Sequence, residues 1–537
     1  MLKFFLCVLC VLCGSIKAAD TLEAHLPPGG FVDVSWQDPF PGKWEILDVT
    51  KAGITPGETD QTAALQKLFD GLTKPTIVSF PAGTFRFNKI SINKSNVILK
   101  GARPGHTIFK MLKDGTLFEF FGKGGKYDYK YLSAEFQPRQ IAADVKAGGT
   151  EVPLADTKGL APGDMVLIEE DLDQWTYQEA KRCRGGVFLI TKVDEKSITL
   201  DLPLALGLEK VAPDQKNATL AKLKPLSNVG LESVRIECPE ERGDKTSTLF
   251  FKRASNAYVH DVEIHNTAKH HVEIAYSRQV IIESSYFDQA KDNGGGGTGY
   301  GINLRDLSTH CLFENNIFRD LRHTMATETG ASYSVFAYNL NVDRVRDLAR
   351  TNNEATEKWV NNKNLNGIAN MVISSDVVAH GNMPHSILLE GNVFYNGVVD
   401  RSHTTNGTHL FFRNCALGQP KKYGGWQEGA GLVIMGSNDD QVLVGNVLRN
   451  DASILIQKHD DKRTTERSLI GGNVIKGQTD WGALAAESKL PASLFLKEKP
   501  GYWTSELAWP AFGPDVQNAA TTKIPAQVRY EEEYLSK

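Results

Sequence analysis

Apolar and polar residues alternate in short runs through the middle of the chain, a two-residue period that predicts β-strands. GLESVRI at 230, LFENNIF at 312, ILLEGNVF at 387, LFFRNCAL at 410, VLVGNVL at 442 and LIGGNVI at 469 share one shape: an apolar run, a small polar residue, then a second apolar pair. Aligned on the polar residue, nine such runs put Ser233, Asp261, Ser285, Asn316, Asn339, Asn392, Asn414, Asn446 and Asn473 in register. The spacings are 28, 24, 31, 23, 53, 22, 32 and 27 residues. Self-similarity at this period marks a solenoid, and helical repeats are excluded because no 3.6-residue periodicity accompanies it. The pattern predicts a parallel β-helix with one coil per repeat. Six asparagines at equivalent positions predict a stacked ladder, each taking a left-handed turn conformation and bonding its neighbour. The 53-residue gap holds one coil plus a polar insertion centred on 343–366, expected as a surface loop.

The flanks complete this plan. TDQTAALQKLFDGL (59–72) predicts a capping helix, N-capped by Thr59 or Asp60, with Ala64, Leu65, Leu68 and Phe69 as its apolar face. Such a cap covers strand edges that a solenoid end would otherwise expose. The alternating runs at 76–87 and 90–101 predict the first strands. Residues 140–205 break the coil period and predict a small antiparallel β insertion, between first coils within 20–139 and a β-helix core at 206–480. The tail, 481–537, is richer in Trp and Pro and is expected to pack on the solenoid or close its end. Lys3, the apolar run Phe4 to Cys13 and the small pair Ala18-Ala19 predict a signal peptide over 1–19, hence a secreted or periplasmic protein. That run is too short for a membrane span, which needs about 20 apolar residues.

Composition narrows the function. The 537 residues carry a formal net charge of −4, which argues against a nucleic-acid binder that lives on phosphate contacts. Cys183, Cys238, Cys311 and Cys415 lie far apart in sequence, with no close pair of the kind a zinc site uses. They are expected as buried thiols.

TDQTAALQ followed by FPAGTFRF resembles the opening of the pectate-lyase-like superfamily of right-handed parallel β-helices. RHTMATETGASYSVFAYN (322–339), HGNMPHSILLEGNVF (380–394) and DRSHTTNGTHLFFRN (400–414) are similar to secreted members of it. The resemblance implies an all-β, right-handed single-strand solenoid whose asparagine ladder lies between its second and third sheets. It also implies a substrate groove on the first sheet and the turn after it. Counting back from the ladder by about 11–17 residues, a strand and its bend, selects Asn303 and Arg305, then Arg322, His323 and Glu328. The same count selects His380 with His385 beyond it, then Asp400, Arg401 and His403, with His409 entering the next strand. Coils stack about 4.8 Å apart, so four of them cover roughly 15 Å, a few sugar units.

Superfamily members include polysaccharide lyases, glycoside hydrolases and epimerases, so the fold leaves the reaction open. A lyase takes the proton α to a uronate carboxylate, neutralises that carboxylate and protonates the leaving oxygen. His380 or His403 suits the base, and Arg305, Arg322 or Arg401 the carboxylate clamp or second proton carrier. Hydrolysis would need two carboxyl groups, for which Glu328 and Asp400 are the pair in the strip. Histidine and arginine outnumber carboxylates there, favouring β-elimination of an acidic polysaccharide over hydrolysis. A non-catalytic glycan-binding solenoid is the third reading. Arg322, His323, His385 and Asn303 are expected to bind substrate. No metal ligand set stands out, and calcium is left open as a cofactor because no tight acidic cluster occurs in the strip. His270-His271 is expected as a turn pair, and the glycines at 294–297 as a turn at the groove rim.

Overall fold

The computed structural model describes residues 20–535 apart from 125–136, 171–181, 210–217, 242, 292–296, 343–374, 401–402, 404–405, 419–428, 437, 439, 458–466 and 487. The signal segment 1–19, the polar insertion, the first three glycines of the 294–297 run and Arg401 therefore lie outside the described residues.

The repeats form a right-handed parallel β-helix with three strand positions per coil. Ten parallel strands build one sheet: Ile90–Ile92, Phe118–Phe121, Leu249–Lys252, His270–Ala275, Tyr300–Arg305, His323–Thr327, Val377–Ala379, Gly397–Val399, Ala430–Met435 and Ser453–Gln457. The other two positions pair continuously around the ladder bend, for example Ser332–Ala337 on His385–Glu390 before it and Leu340–Val342 on Val393–Phe394 after it. Because equivalent residues repeat at the strand spacing, inward phenylalanines meet their counterparts one coil away. Phe120 stacks on Phe251 at 4.4 Å and Phe287 on Phe318 at 5.3 Å.

The ladder runs from Ser285 to Asn473. Each asparagine Oδ1 accepts the backbone N–H of the preceding rung, as Asn339 does from Asn316 and Asn414 from Asn392, both at 3.0 Å. Each Nδ2 donates to a carbonyl of the coil before, as Asn414 does to Leu389 at 2.8 Å. Two expectations are corrected. The left-handed residue is the one before each rung: Ser284, Asn315, Tyr338, Gly391, Arg413, Gly445 and Gly472 all have φ between 52° and 70°. Ser233 (φ 58°) and Asp261 (φ 53°) belong to that left-handed column, and Val234 and Val262 fill the ladder position. A bend needs the αL conformation one step before the side chain that locks it, and a ladder of hydrogen bonds sustains that strain even at Tyr338 and Arg413.

The capping helix is Thr62–Gly71, with Leu65 and Phe69 buried and Leu68 partly so, while Ala64 is exposed. The Asp60 carboxylate accepts the Thr62 N–H at 2.9 Å. The insertion is an antiparallel sheet whose strands run from Lys123–Gly124 to Thr219–Lys224, wider at both ends than 140–205. Its own core of Val152, Val166, Phe188, Ile190 and Ile198 is independent of the solenoid. It docks through Met165, Leu167, Val187 and Leu223 on Leu307, just after the strand Tyr300–Arg305 of the ten-stranded sheet, and through Asp201 to Arg278 at 2.6 Å. The tail packs along the solenoid: Phe495, Trp503, Phe512 and Ile524 cover Leu312, Val335, Leu388 and Leu410, and Arg413 forks onto Asp515 with both contacts at 2.7 Å. No disulfide joins the four described cysteines, and all are buried. No helix among the described residues is long and apolar enough to cross a membrane.

Candidate functional site

Inward positions of the ten-stranded sheet are core residues such as Ile302, Met325, Val377 and Val399, so the residues between them face outward. The register aligns one outward column across coils: Glu273, Asn303, Ala326, Val378, Val398, Val433. Ala326 and Val378 are small and lie together with Tyr300. Over them, side chains from opposite ends of the strands meet. His323 opens its strand and His380 follows the end of the next, yet their ring centroids are 5.8 Å apart.

The result is a file of five rings over successive coils. His270 stacks on Tyr300 at 4.6 Å, Tyr300 meets His323 at 4.7 Å, His323 meets His380, and His403 stands edge-on to His380 at 4.7 Å. The Arg322 guanidinium lies 5.8 Å over the Tyr300 ring. Its Nη1 is buried without a hydrogen bond, and it forms no ion pair among the described residues. Asn303, 1% exposed on the floor, leaves its Oδ1 without a donor. Orphaned groups of this kind call for a ligand or water to complete them.

His380 and Asp400 form the strongest contact. Each follows the last residue of its strand, and adjacent pairing of Ala379 with Val399 brings them side by side. His380 Nδ1 lies 2.5 Å from Asp400 Oδ2, and this is the one hydrogen bond its ring makes among the described residues. Burial works against the imidazolium, but the Asp400 carboxylate outweighs it and the His380 pKa is raised. The contact fixes Nδ1 as the protonated nitrogen of the neutral ring and leaves Nε2 as the base.

Arg305 is differently placed from the clamp the sequence suggests. Asp306 at 3.3 Å, Glu273 at 3.6 Å and Glu328 at 3.9 Å surround it, and Glu328 shares this cage rather than the histidine file. Burial opposes the guanidinium's charge, but Asp306, Glu328 and Glu273 together raise its pKa. Burial raises Asp306, while Glu273, buried as well, is held well below the carboxylate range by His270, Lys269 and Arg305. Among the described residues no group of three or more His, Cys, Asp or Glu is arranged to hold a metal ion; in the acidic cage a guanidinium occupies the centre.

The structure thus brings Asn303, Arg305, Arg322, His323, Glu328, His380, Asp400 and His403 onto one face. His385 is not among them. It opens the strand His385–Glu390 of the next sheet position, is 2% exposed, and bonds Ser386 Oγ at 3.2 Å. Burial, with His409 and Arg184 nearby, pushes its pKa down to about 3, and burial pushes His409 to about 4. Both are neutral structural histidines. His270 and His271 are strand residues, not a turn, and His270 with Tyr300 and Glu273 extends the site by one coil. The same backward count from Ser285 would have reached His270 and Glu273.

Comparison with protein families matches residues 46–122 to the Rhamnogalacturonase A/epimerase, pectate lyase-like family. Comparison with curated proteins found no match. Among solved structures, the chain is similar to the Gp54 tailspike of Acinetobacter baumannii bacteriophage AP22, solved with an A. baumannii capsular saccharide (TM-score 0.50, 12% identity, 79% of this chain and 68% of that one). It is also similar to the gp61 tailspike of Pseudomonas phage phi297 (0.49, 12%, 77% and 76%) and to an alginate lyase from Paenibacillus sp. (0.38, 8%, 77% and 98%). At these identities the likeness is one of fold. Residues 46–122 match that family, and the coils and asparagine ladder give the chain a right-handed parallel β-helix fold of the pectate-lyase-like kind.

Proposed function

We propose that this groove cleaves an acidic, uronate-containing polysaccharide by β-elimination. The observation that carries the reading is the His380–Asp400 contact beside Arg322, which has no ion pair among the described residues. Arg322 takes the uronate carboxylate in its guanidinium fork, which stabilises the carbanion-like charge that develops when the α-proton leaves. His380 Nε2 accepts that proton while Asp400 holds Nδ1–H and stabilises the imidazolium that forms. The electron pair closes the C4–C5 double bond, the C4–O bond breaks, and the leaving oxygen gains a proton from His403. Asn303 Oδ1 accepts a sugar hydroxyl on the groove floor.

Hydrolysis fits this arrangement less well. Glu328 faces Arg305 and Asp400 faces His380, so the two carboxylates are engaged by basic side chains instead of flanking a glycosidic bond. With the export signal read at 1–19, the enzyme works outside the cytoplasm, on polymers it meets there.

The test is a panel of uronic-acid polymers, followed by ultraviolet absorbance of the unsaturated uronate and by reducing ends. Elimination produces both signals together. Reducing ends without unsaturation would make the protein a hydrolase, and binding without either signal would make it an adhesive solenoid.

A further inference from the structure

A second pair of asparagines, outside the main ladder, sits behind the His380–Asp400 contact. Asn406 Oδ1 accepts the backbone N–H of Gly381, the residue after His380, at 2.9 Å. Asn406 Nδ2 donates to the backbone carbonyl of Asp400 at 2.6 Å. One side chain therefore grips the backbone on both sides of the contact, His380's coil with one end and Asp400's with the other.

Asn438, one coil further, repeats the device. Its Nδ2 donates to the same Asp400 carbonyl at 2.8 Å and to Met435 O at 2.9 Å, while its Oδ1 accepts the Asn406 N–H at 2.8 Å. Asn438 is fully buried and Asn406 is 5% exposed, so water does not compete for these bonds. The strand register ends at Ala379 and Val399; one residue further, His380 N–H donates to Thr327 O at 2.9 Å and Asp400 N–H to Ala379 O at 3.0 Å, and Gly381, Asn382 and Met383 then all have positive φ. Turns of that kind have many alternatives open to them, and a 2.5 Å contact tolerates few.

We infer that Asn406 is a positioning residue for His380 and Asp400, with Asn438 as the rung that fixes Asn406. It touches no substrate and acts by setting the distance between two turns of adjacent coils. The catalytic consequence rests on the proposed role of His380. The effect on the His380–Asp400 contact does not.

The experiment follows the His380 titration by NMR in the full-length protein with isotope-labelled histidine, assigned by the signal lost in His380→Gln. Asn406→Ala should move the His380 pKa downward, toward the ordinary histidine value, because the raised pKa depends on the carboxylate contact. Asn414→Ala, in the main ladder, loses a comparable set of buried hydrogen bonds and should leave the titration where it was while lowering the melting temperature. If Asn406→Ala does not fold, Asn438→Ala serves, with a shift in the same direction. On the cleaved polymer, Asn406→Ala should lower kcat by about 10²-fold, the scale for a small misplacement of a reacting group, with KM little changed. A folded Asn406 or Asn438 variant with an unmoved His380 titration overturns the inference, and so does an equal shift in Asn414→Ala. Full activity in His380→Ala would instead overturn the functional reading and leave the titration result standing.

Discussion

Removing one rung of the main ladder measures what holds the coils in register. The Asn414 side chain makes four hydrogen bonds. It donates to Leu389 O at 2.8 Å and Asn446 Oδ1 at 3.0 Å, and accepts from the N–H and the Nδ2 of Asn392, both at 3.0 Å. In Asn414→Ala, Asn446 Oδ1 keeps the Asn414 backbone N–H and Asn392 Nδ2 keeps Phe336 O. One group is stranded, the Asn392 N–H, while the Leu389 carbonyl keeps its strand bond from Phe412 and loses its second donor. The stranded group is sealed from solvent and costs about 1–3 kcal/mol, so the variant should lose about that much. Asn392→Ala strands a different donor, the Asn339 N–H, and takes one of two donors from Phe336 O. The double variant should therefore cost nearly the sum, less about 1 kcal/mol for the one side-chain bond that both singles break. Urea denaturation followed by circular dichroism gives all three values from the midpoints at constant slope. A loss below about 0.5 kcal/mol for Asn414→Ala would refute the reasoning, since it would mean that stranded groups in the ladder find new partners.

Four further outcomes are expected. His380→Ala should lower kcat on a uronate polymer by about 10²–10⁴ with little change in melting temperature; because the neutral ring is the base, activity should rise with pH through the His380 pKa, and Asp400→Asn should move that limb of the pH–rate profile to lower pH. Arg322→Ala should lower kcat and raise KM for an acidic polymer and leave thermal stability alone, whereas Arg305→Ala, which abandons Glu273, Asp306 and Glu328 to one another, should destabilise by about 2–4 kcal/mol in a melt. Tail docking should weaken with rising pH: burial pushes Glu314, bonded to Tyr502 at 2.7 Å, up to about 8 from 4.5, so the folded state holds a proton the unfolded chain has released and stability falls between those values. Glu314→Gln should flatten that fall in melts taken across the window. N-terminal sequencing of exported protein should begin near Ala19 or Asp20.

Particular residues show how far the sequence could be read. The asparagine spacing located every coil from Asn316 to Asn473, because a buried amide is tolerated in that bend only when the next coil satisfies it. The alignment slipped by one at Ser233 and Asp261, where no asparagine marks the rung and a polar residue in the left-handed column was mistaken for it. Most of the groove residues were reachable by counting from the ladder. His385 was not separable from them, since a histidine one turn past the groove strand and one within it differ only in which sheet the chain has joined.

Repetition is a property of the linear chain. The alternation, the coil period, the capping helix and the coil-by-coil delivery of His, Arg and Asp to one face follow from residue order, because each coil contacts its immediate neighbours and reads out local spacing. Which of those side chains pair was decided by the assembled coils. Among the described residues Arg305 is caged and Arg322 has no ion pair although both flank groove strands, because Asp306 and Glu328 converge on the first and the Tyr300 ring on the second. His380 reaches Asp400 because direct pairing of Ala379 with Val399 sets the residues after them abreast, and His323 reaches His380 because Ala326 and Val378 leave room above the sheet. Such pairings depend on distances of a few ångströms between coils, which a spacing along the chain does not encode.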